Sequence, residues 1–351
     1  MGPVPSIELT PGRWIGEHRP CYLVAEAGQN HNGQLAIARR LIDGVADSGA
    51  DAVKFCKRHL PSDLTHEASL RGYHGQQSFA ATYGEHRKAL ELSPGQFADL
   101  KEYAESKRLT FFATACDMKS VDDLEAINVP FYKIASRDLT NLPLLEYVAV
   151  TGKPIILSCG MDGLDEISQA LDAIRMHHER IVLLQCTSAY PTAHEDVNLK
   201  AMQTLRREFD VLVGLSDHSF GLAAPIAAVA LGAVLIEKHV TLSCTMKGTD
   251  HACSLELAEL SQMAGHIRNV ERAMGDGVKR VPASVQTAQA KLGRSVVSRC
   301  NIPQGTQVTE DMLCLKSAGE GLSWFDRKKL IGKIARRTIG ADQRLSAADV
   351  E

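Results

Sequence analysis

The sequence predicts a (β/α)8 barrel followed by a small β-rich module. Three observations point there. Eight short, nearly all-apolar segments recur between Tyr22 and Glu237, each reading as a parallel strand buried on both faces. Amphipathic or alanine-rich stretches separate them, so strand and helix alternate over about 250 residues, the size of a closed eight-unit barrel. After Gly275 this rhythm gives way to short β-like pieces and turns. An open doubly wound sheet is the rival arrangement.

Residues 6–15 read as a hairpin that turns at Pro11-Gly12. The strand candidates then follow as Tyr22–Ala27, Ala52–Cys56, Leu109–Ala115, Phe131–Ala135, Ile155–Ser158, Ile181–Cys186, Val211–Leu215 and Val234–Glu237. Helical periodicity is clear in Leu35–Ser48, Ser120–Ile127, Asn141–Thr151, Leu164–His178 and Leu222–Leu231, and a helix near Leu255–Met274 closes the series. Leu60 to Leu92, after the second strand, reads as a long polar insert dotted with Tyr73, Phe79 and Tyr83, expected to act as a lid or substrate loop. The domain reading is a barrel over 1–275, a linker over 276–290 and a module over 291–351. In the module, Ser295–Ser298, Ile302–Gly305, Leu313–Lys316 and Ile331–Lys333 read as β-like.

Composition narrows the function. The 351 residues are 44% hydrophobic and 23% charged, with a formal net charge of −3. That balance offers no basic field for nucleic acid or an anionic membrane. The longest uncharged run, Gly221 to Ile236, contains Pro225 and is shorter than the ~20 residues of a membrane span. The first twenty residues lack the apolar core of a signal peptide, so a cytoplasmic location is expected. The nine cysteines show no CxxC spacing and fit reduced, buried thiols better than a disulfide framework.

Barrels of this kind place their chemistry on the loops at the carboxyl ends of the strands. Those ends carry Glu26 with Gly28 to Gly33, Lys54, Thr114, Lys133 with Ser136, Ser158, Gln185 with Tyr190, Ser216 to His218, and Glu237 with His239. Two histidines at equivalent points of neighbouring parallel strands are placed to share a divalent metal with open positions. Lys54, Lys133, Ser136 and Ser158 make a cationic, hydroxyl-lined patch suited to a phosphate or carboxylate. Glu26, inside an apolar strand, needs a metal, a lysine or a proton-transfer role. The polar run Lys247 to His251 reaches over the mouth, and His31, in a loop of asparagines, is the weakest candidate.

At these residues the chain resembles the sialic acid (N-acetylneuraminate) synthase family. The motifs are Ala25 to Gly33, Val53-Lys54-Phe55, Tyr132 to Ser136, Gly152 to Ser158 with Gly160-Met161, Cys186 to Thr192, Gly214 to His218, Ile236 to Thr241 and Gly248 to His251. The last sixty or so residues resemble the SAF, or antifreeze-like, module, with Gly332 to Arg337 in its pattern. The resemblance implies a TIM barrel plus SAF module in a domain-swapped homodimer. The implied reaction is condensation of phosphoenolpyruvate with a sugar aldehyde to a 3-deoxy-2-ulosonic acid and phosphate, with a divalent cation, manganese or magnesium. It further implies that His218 and His239 bind metal, and that Glu26 acts in catalysis with Lys54 and Lys133. Lys54, Thr114, Lys133, Ser136 and Ser158 would surround phosphoenolpyruvate, and Gln185, Tyr190, Ser216, Glu237 and Asp250 would take the substrate side.

Three positions depart from the family pattern: Cys56 follows Phe55 where glutamine is usual, Gln185 stands where histidine is frequent, and Lys316-Ser317-Ala318-Gly319 replaces Lys-Arg-Pro-Gly. The resemblance places the missing arginine of that last motif near the N-acetyl end of the sugar, so its absence points to a related acceptor, a nonulosonate precursor or another modified aldose, rather than N-acetylmannosamine itself. The alternatives are another phosphoenolpyruvate-dependent ulosonate synthase, for which a phosphorylated acceptor would need extra basic residues near the mouth, and a non-catalytic glycan-binding homologue.

Overall fold

The computed structural model describes residues 6–351. The chain forms two compact units that divide after Gly275. In the first, eight parallel strands close into a barrel: β1 (Tyr22–Gly28), β2 (Ala52–Lys57), β3 (Thr110–Ala115), β4 (Tyr132–Ile134), β5 (Ile155–Ser158), β6 (Ile181–Cys186), β7 (Leu212–Asp217) and β8 (Leu235–Thr241). Closure comes from β8, which pairs with both β7 and β1. The open-sheet rival is therefore excluded.

All eight strand candidates are strands, and the differences lie at their ends. β7 and β8 run on to Asp217 and Thr241, because the polar residues there still join the ladder: Lys238 pairs with Asp217, and His239 with Glu26.

Period-two alternation decides what faces the barrel interior. Tyr22, Val24, Ala52, Phe112, Phe131, Ile156, Val182, Leu184, Leu212 and Leu235 pack together there. Leu23, Ala25, Val53, Phe111, Leu183, Val213 and Ile236 face the surrounding helices instead. The N-terminal hairpin, Ile7–Thr10 against Arg13–Ile15, joins the interior cluster through Ile7, Leu9 and Ile15.

The helices begin where sequence chemistry allows. Ser93 caps Pro94–Ser106 in a reciprocal box with Gln96, with Pro94 in the first turn. Asp117 accepts from Ser120 N at 2.8 Å to start Met118–Ala126. Leu35–Ser48 ends on Gly49 in the left-handed region.

The insert after β2 is more ordered than a loop. It holds three short helices, Leu60–Asp63, His66–Leu70 and Tyr83–Leu90. Thr65 and Thr82 cap the last two, accepting from Ala68 N at 3.2 Å and Glu85 N at 3.3 Å. Tyr73, Phe79 and Tyr83 gather around the buried His86 ring.

In the second unit, Arg294–Ser298 pairs antiparallel with Leu313–Ser317, and Val296, Ile302, Val308, Leu313, Leu330, Ala335, Ile339, Leu345 and Val350 form its core. Ile302–Gly305 contributes only an isolated bridge, Ile302 to Ile339, and Ile331–Lys333 is not a strand. Gln286–Leu292, which crosses the expected boundary between linker and module, is a short helix. Among the described residues no helix is long and apolar enough to cross a membrane, and all nine cysteines are free thiols.

Candidate active site

The barrel's inward columns end in a cavity of about 600 Å³. Each strand delivers its inward parity. Glu26 and Gly28 come from β1, Lys54 and Cys56 from β2, and Thr114 from β3. Lys133 follows from β4 and Ser136 from the turn after it, Ser158 from β5, Cys186 from β6, Ser216 from β7 with His218 just past its end, and Glu237 and His239 from β8. Tyr190 and Asp250 also line it. Sequence reading therefore brings together twelve of the thirteen residues it singled out.

The thirteenth, Gln185, is not a lining residue. It sits one step out of phase with Cys186, so it points to the helix layer and donates to Val197 O at 3.1 Å. Assigning it to the substrate side ignored this alternation. His31 is also outside the cavity, buried against the Phe55 ring and accepting from Gly33 N.

Two ammonium groups and two carboxylates form the floor. Lys54 Nζ meets Glu26 Oε2 directly, lies 3.1 Å from Glu237 Oε2, and donates to Thr114 Oγ1 at 3.0 Å. Lys133 Nζ lies 3.7 Å from Glu237 Oε1, which also accepts from Ser216 Oγ at 3.0 Å. Burial pulls the Lys54 ammonium below the usual lysine range, with Glu237 opposing. Burial alone would push the Glu237 carboxyl up, but Lys133 and then Lys54 outweigh it and hold it at about 2. Gly28 makes room here, since a Cβ would stand 2.7 Å from Glu26 Oε1 and its φ is +51°.

Beside this floor stand the two imidazoles, with ring centroids 5.4 Å apart and Tyr190 4.1 Å from His218. His218 Nδ1 lies 3.0 Å from Thr187 O. A carbonyl only accepts, so Nδ1 carries a proton. Burial would lower the His218 ring, but Cys186 and then the Thr187 carbonyl outweigh it and hold it above the ordinary histidine range. His239 Nδ1 is buried with no hydrogen-bond partner. Burial keeps His239 neutral, down at about 3, with the Asp250 charge opposing. The neutral His239 ring, with His218 Nε2 once that ring gives up its extra proton, suits a divalent cation. Among the described residues no group of three or more His, Cys, Asp or Glu could hold a metal, so open positions would remain for substrate or water. Ser158 Oγ is likewise buried without a partner. Orphaned buried polar atoms are costly, and these line the cavity.

Sequence reading missed three arginines. Arg58 and Arg137 line the cavity and share Asp63, at 3.6 and 2.6 Å. Arg87 reaches in from the insert and bonds the neutral partners Tyr83 OH at 2.9 Å and Gln29 Oε1 at 2.6 Å. Gln29 in turn donates to Asp250 Oδ2 at 3.1 Å, Gly248 N donates to Gln77 Oε1 at 2.6 Å, and Lys247 Nζ lies 4.9 Å over the Phe79 ring. The tip of the insert thus lies against the loop after β8. The Thr82-x-x-Glu85 capping pattern was the available sign that Arg87 stands on a helix.

Buried neutral histidines set an acid limit on stability. Burial holds His31 at about 4 against its ordinary 6.5. The unfolded chain takes up a proton first, so this contribution is complete above about pH 6.5 and is lost as pH falls toward 4. The urea midpoint is expected to drop between pH 7 and pH 4.5. His31→Asn should flatten this slope, by up to about 1.4 kcal/mol per pH unit. An unchanged slope in the variant would remove His31 from this account.

A closed parallel barrel whose carboxyl rim gathers these groups defines a barrel enzyme. The comparisons specify which: the chain belongs to the NeuB family, whose model matches residues 41–279, and residues 293–351 match the SAF domain. It is 41% identical to the human N-acetylneuraminate-9-phosphate synthase over 97% of this chain and 95% of that protein. It is 38% identical to the N,N'-diacetyllegionaminic acid synthase of Campylobacter jejuni over 92% of this chain and 97% of that one. Among solved structures it resembles the N-acetylneuraminic acid (sialic acid) synthetase of Leptospira borgpetersenii in complex with citrate. The TM-score is 0.70 at 34% identity, covering 82% of this chain and 95% of that one.

Proposed function

We propose that this protein condenses phosphoenolpyruvate with a sugar aldehyde, giving a 3-deoxy-2-ulosonic acid of the sialic acid type and phosphate. One observation carries the reading: two buried ammonium groups and an unpartnered Ser158 hydroxyl stand in one cavity beside two buried imidazoles. Relatives named as N-acetylneuraminate-9-phosphate and diacetyllegionaminic acid synthases support it.

Lys54 and Lys133 take the negative charge of phosphoenolpyruvate, and Thr114, Ser136 and Ser158 orient its oxygens. Manganese or magnesium held by His218 and His239 would polarise the aldehyde oxygen. Tyr190 covers His218 and excludes water from that side, while Asp250 and Ser216 turn the acceptor's hydroxyls. The enol carbon then forms the new C–C bond to the aldehyde carbon. The aldehyde oxygen becomes a hydroxyl as water adds at C2, Glu26 accepting one proton of the water and passing it on; the C2–O bond then breaks, and the C2 hydroxyl gives its proton to the departing phosphate as the ketone forms. Glu237 keeps both lysines charged and aligned. The reading includes a domain-swapped homodimer, supported by the exposed Met161 and Tyr190 at the mouth. Light scattering at twice the 38.1 kDa chain mass would agree with it, and a monomer would not.

The assay is phosphate release from phosphoenolpyruvate and manganese with a panel of aldoses, with the product weighed by mass spectrometry. Release that does not depend on an aldose, or none with either metal, would overturn the reading.

Arg87 favours a particular acceptor within it. With only neutral partners, it is available to an anionic group, such as a phosphate ester, on the acceptor's end remote from the aldehyde. Arg87→Leu should raise KM for a phosphorylated acceptor by about 10–100-fold, the worth of a charge-assisted hydrogen bond, and leave KM for phosphoenolpyruvate unchanged. Equal effects on a neutral and a phosphorylated aldose would remove this assignment.

A further inference from the structure

We propose that the buried pair Lys238–Asp217, on the face of β7 and β8 turned away from the cavity, is the positioning element that sets the separation of His218 and His239. The inference rests on the proposed reading of those histidines as ligands of a divalent cation.

Each member of the pair immediately precedes one cavity histidine, and the two are opposed in register across β7 and β8. Alternation puts the histidines inside the barrel and the pair outside. Lys238 is fully buried. Its Nζ lies 2.6 Å from Asp217 Oδ2 and also donates to Ser219 O. Asp217 Oδ1 accepts from Ser219 N at 2.9 Å. One ammonium and one carboxylate therefore hold the backbone on both sides of His218, and they tie it to the residue before His239.

The hold extends to the loop after β6. Thr192 N donates to His218 O at 3.0 Å, and Thr192 Oγ1 donates to Thr187 O at 3.0 Å. That same Thr187 carbonyl accepts from His218 Nδ1. The backbone and ring of His218 are thus fixed from three directions, and the ion pair adds a side-chain tie to β8 where the backbone ladder between the two strands ends.

Stability alone does not account for the pair. A buried ion pair is often no better than apolar residues of similar volume. Two residues earlier on the same outward faces stand Leu215 and Ile236, both buried and apolar. The charges appear at the point where the histidines emerge.

The test is manganese titration into metal-free protein, followed by calorimetry, with phosphoenolpyruvate affinity and thermal unfolding measured on the same samples. Wild type is expected to bind manganese, and His218→Ala to lose it. The double variant Asp217→Asn with Lys238→Met leaves no buried charge at this pair. It is expected to fold, to bind manganese about 10–100-fold more weakly, and to keep its phosphoenolpyruvate affinity. Asp217→Glu keeps both charges but lengthens one arm by a methylene, and should weaken manganese in the same direction. Wild-type manganese affinity in the variant that folds would overturn the positioning role while leaving the histidine reading intact. Wild type that ignores manganese would overturn both.

Discussion

Lys54→Met is expected to cost about 3–5 kcal/mol of stability, as breaking a buried ion pair from one side does. It should also lower kcat/KM for phosphoenolpyruvate by on the order of 10²–10³. Among the described residues Lys54 is the only cation that touches both floor carboxylates, Glu26 Oε2 and Glu237 Oε2. Without it Glu26 faces Glu237 with no cation of its own, and Lys133 is 3.7 Å from Glu237 alone. Urea unfolding and initial rates check the two halves separately. Lys54→Arg restores the charge but not the compact ammonium, so stability should return in part and activity should not. A methionine variant with wild-type midpoint and rate would show that the floor is not an electrostatic unit.

Glu26→Gln should leave the fold intact and lower kcat by about 10²–10⁴, the range for a proton-transfer group. The amide keeps the shape, and Lys54 keeps Glu237 and Thr114 as partners. Because the Glu26 carboxylate occupies the same ammonium that an incoming anion needs, phosphoenolpyruvate should bind the variant at least as tightly as wild type. This split between unchanged binding and slow turnover separates a proton acceptor from a binding group. A variant that turns over within tenfold of wild type, or that loses phosphoenolpyruvate affinity instead, would remove Glu26 from that role.

The barrel is readable from sequence because its strands are apolar on both faces, as in Ile181 to Leu184, and each carries a polar residue at or near its carboxyl end. The site is nearly as readable, since a fixed rim collects whatever polar side chains the strands carry at their ends. Two kinds of information are not local. Direction is one: Gln185 and Cys186 are both plausible by type, and only the phase of the interior column, set by Val182 and Leu184, shows which one faces the cavity. Reach is the other. Arg87 belongs to an insert with no barrel periodicity, and its guanidinium arrives at the mouth because Thr82 starts a helix there. Lys238 and Asp217 were visible as neighbours of the two histidines, but their partnership depends on the β7–β8 register, which sequence alone leaves open.

The two ends of the insert after β2 are fastened by different chemistry. Asp63, at its root, lies between the Arg58 and Arg137 guanidiniums, whereas its tip meets the loop after β8 through the Gln77 amide, the Gln29 bridge and the Phe79 ring. Charged groups stand at both ends, since Lys247 lies over Phe79 and the Gln29 amide links Arg87 to Asp250. Added salt then loosens the flap as well as weakening the capture of a polyanion by the floor beneath it. Raising salt should therefore slow substrate capture and quicken the escape of product.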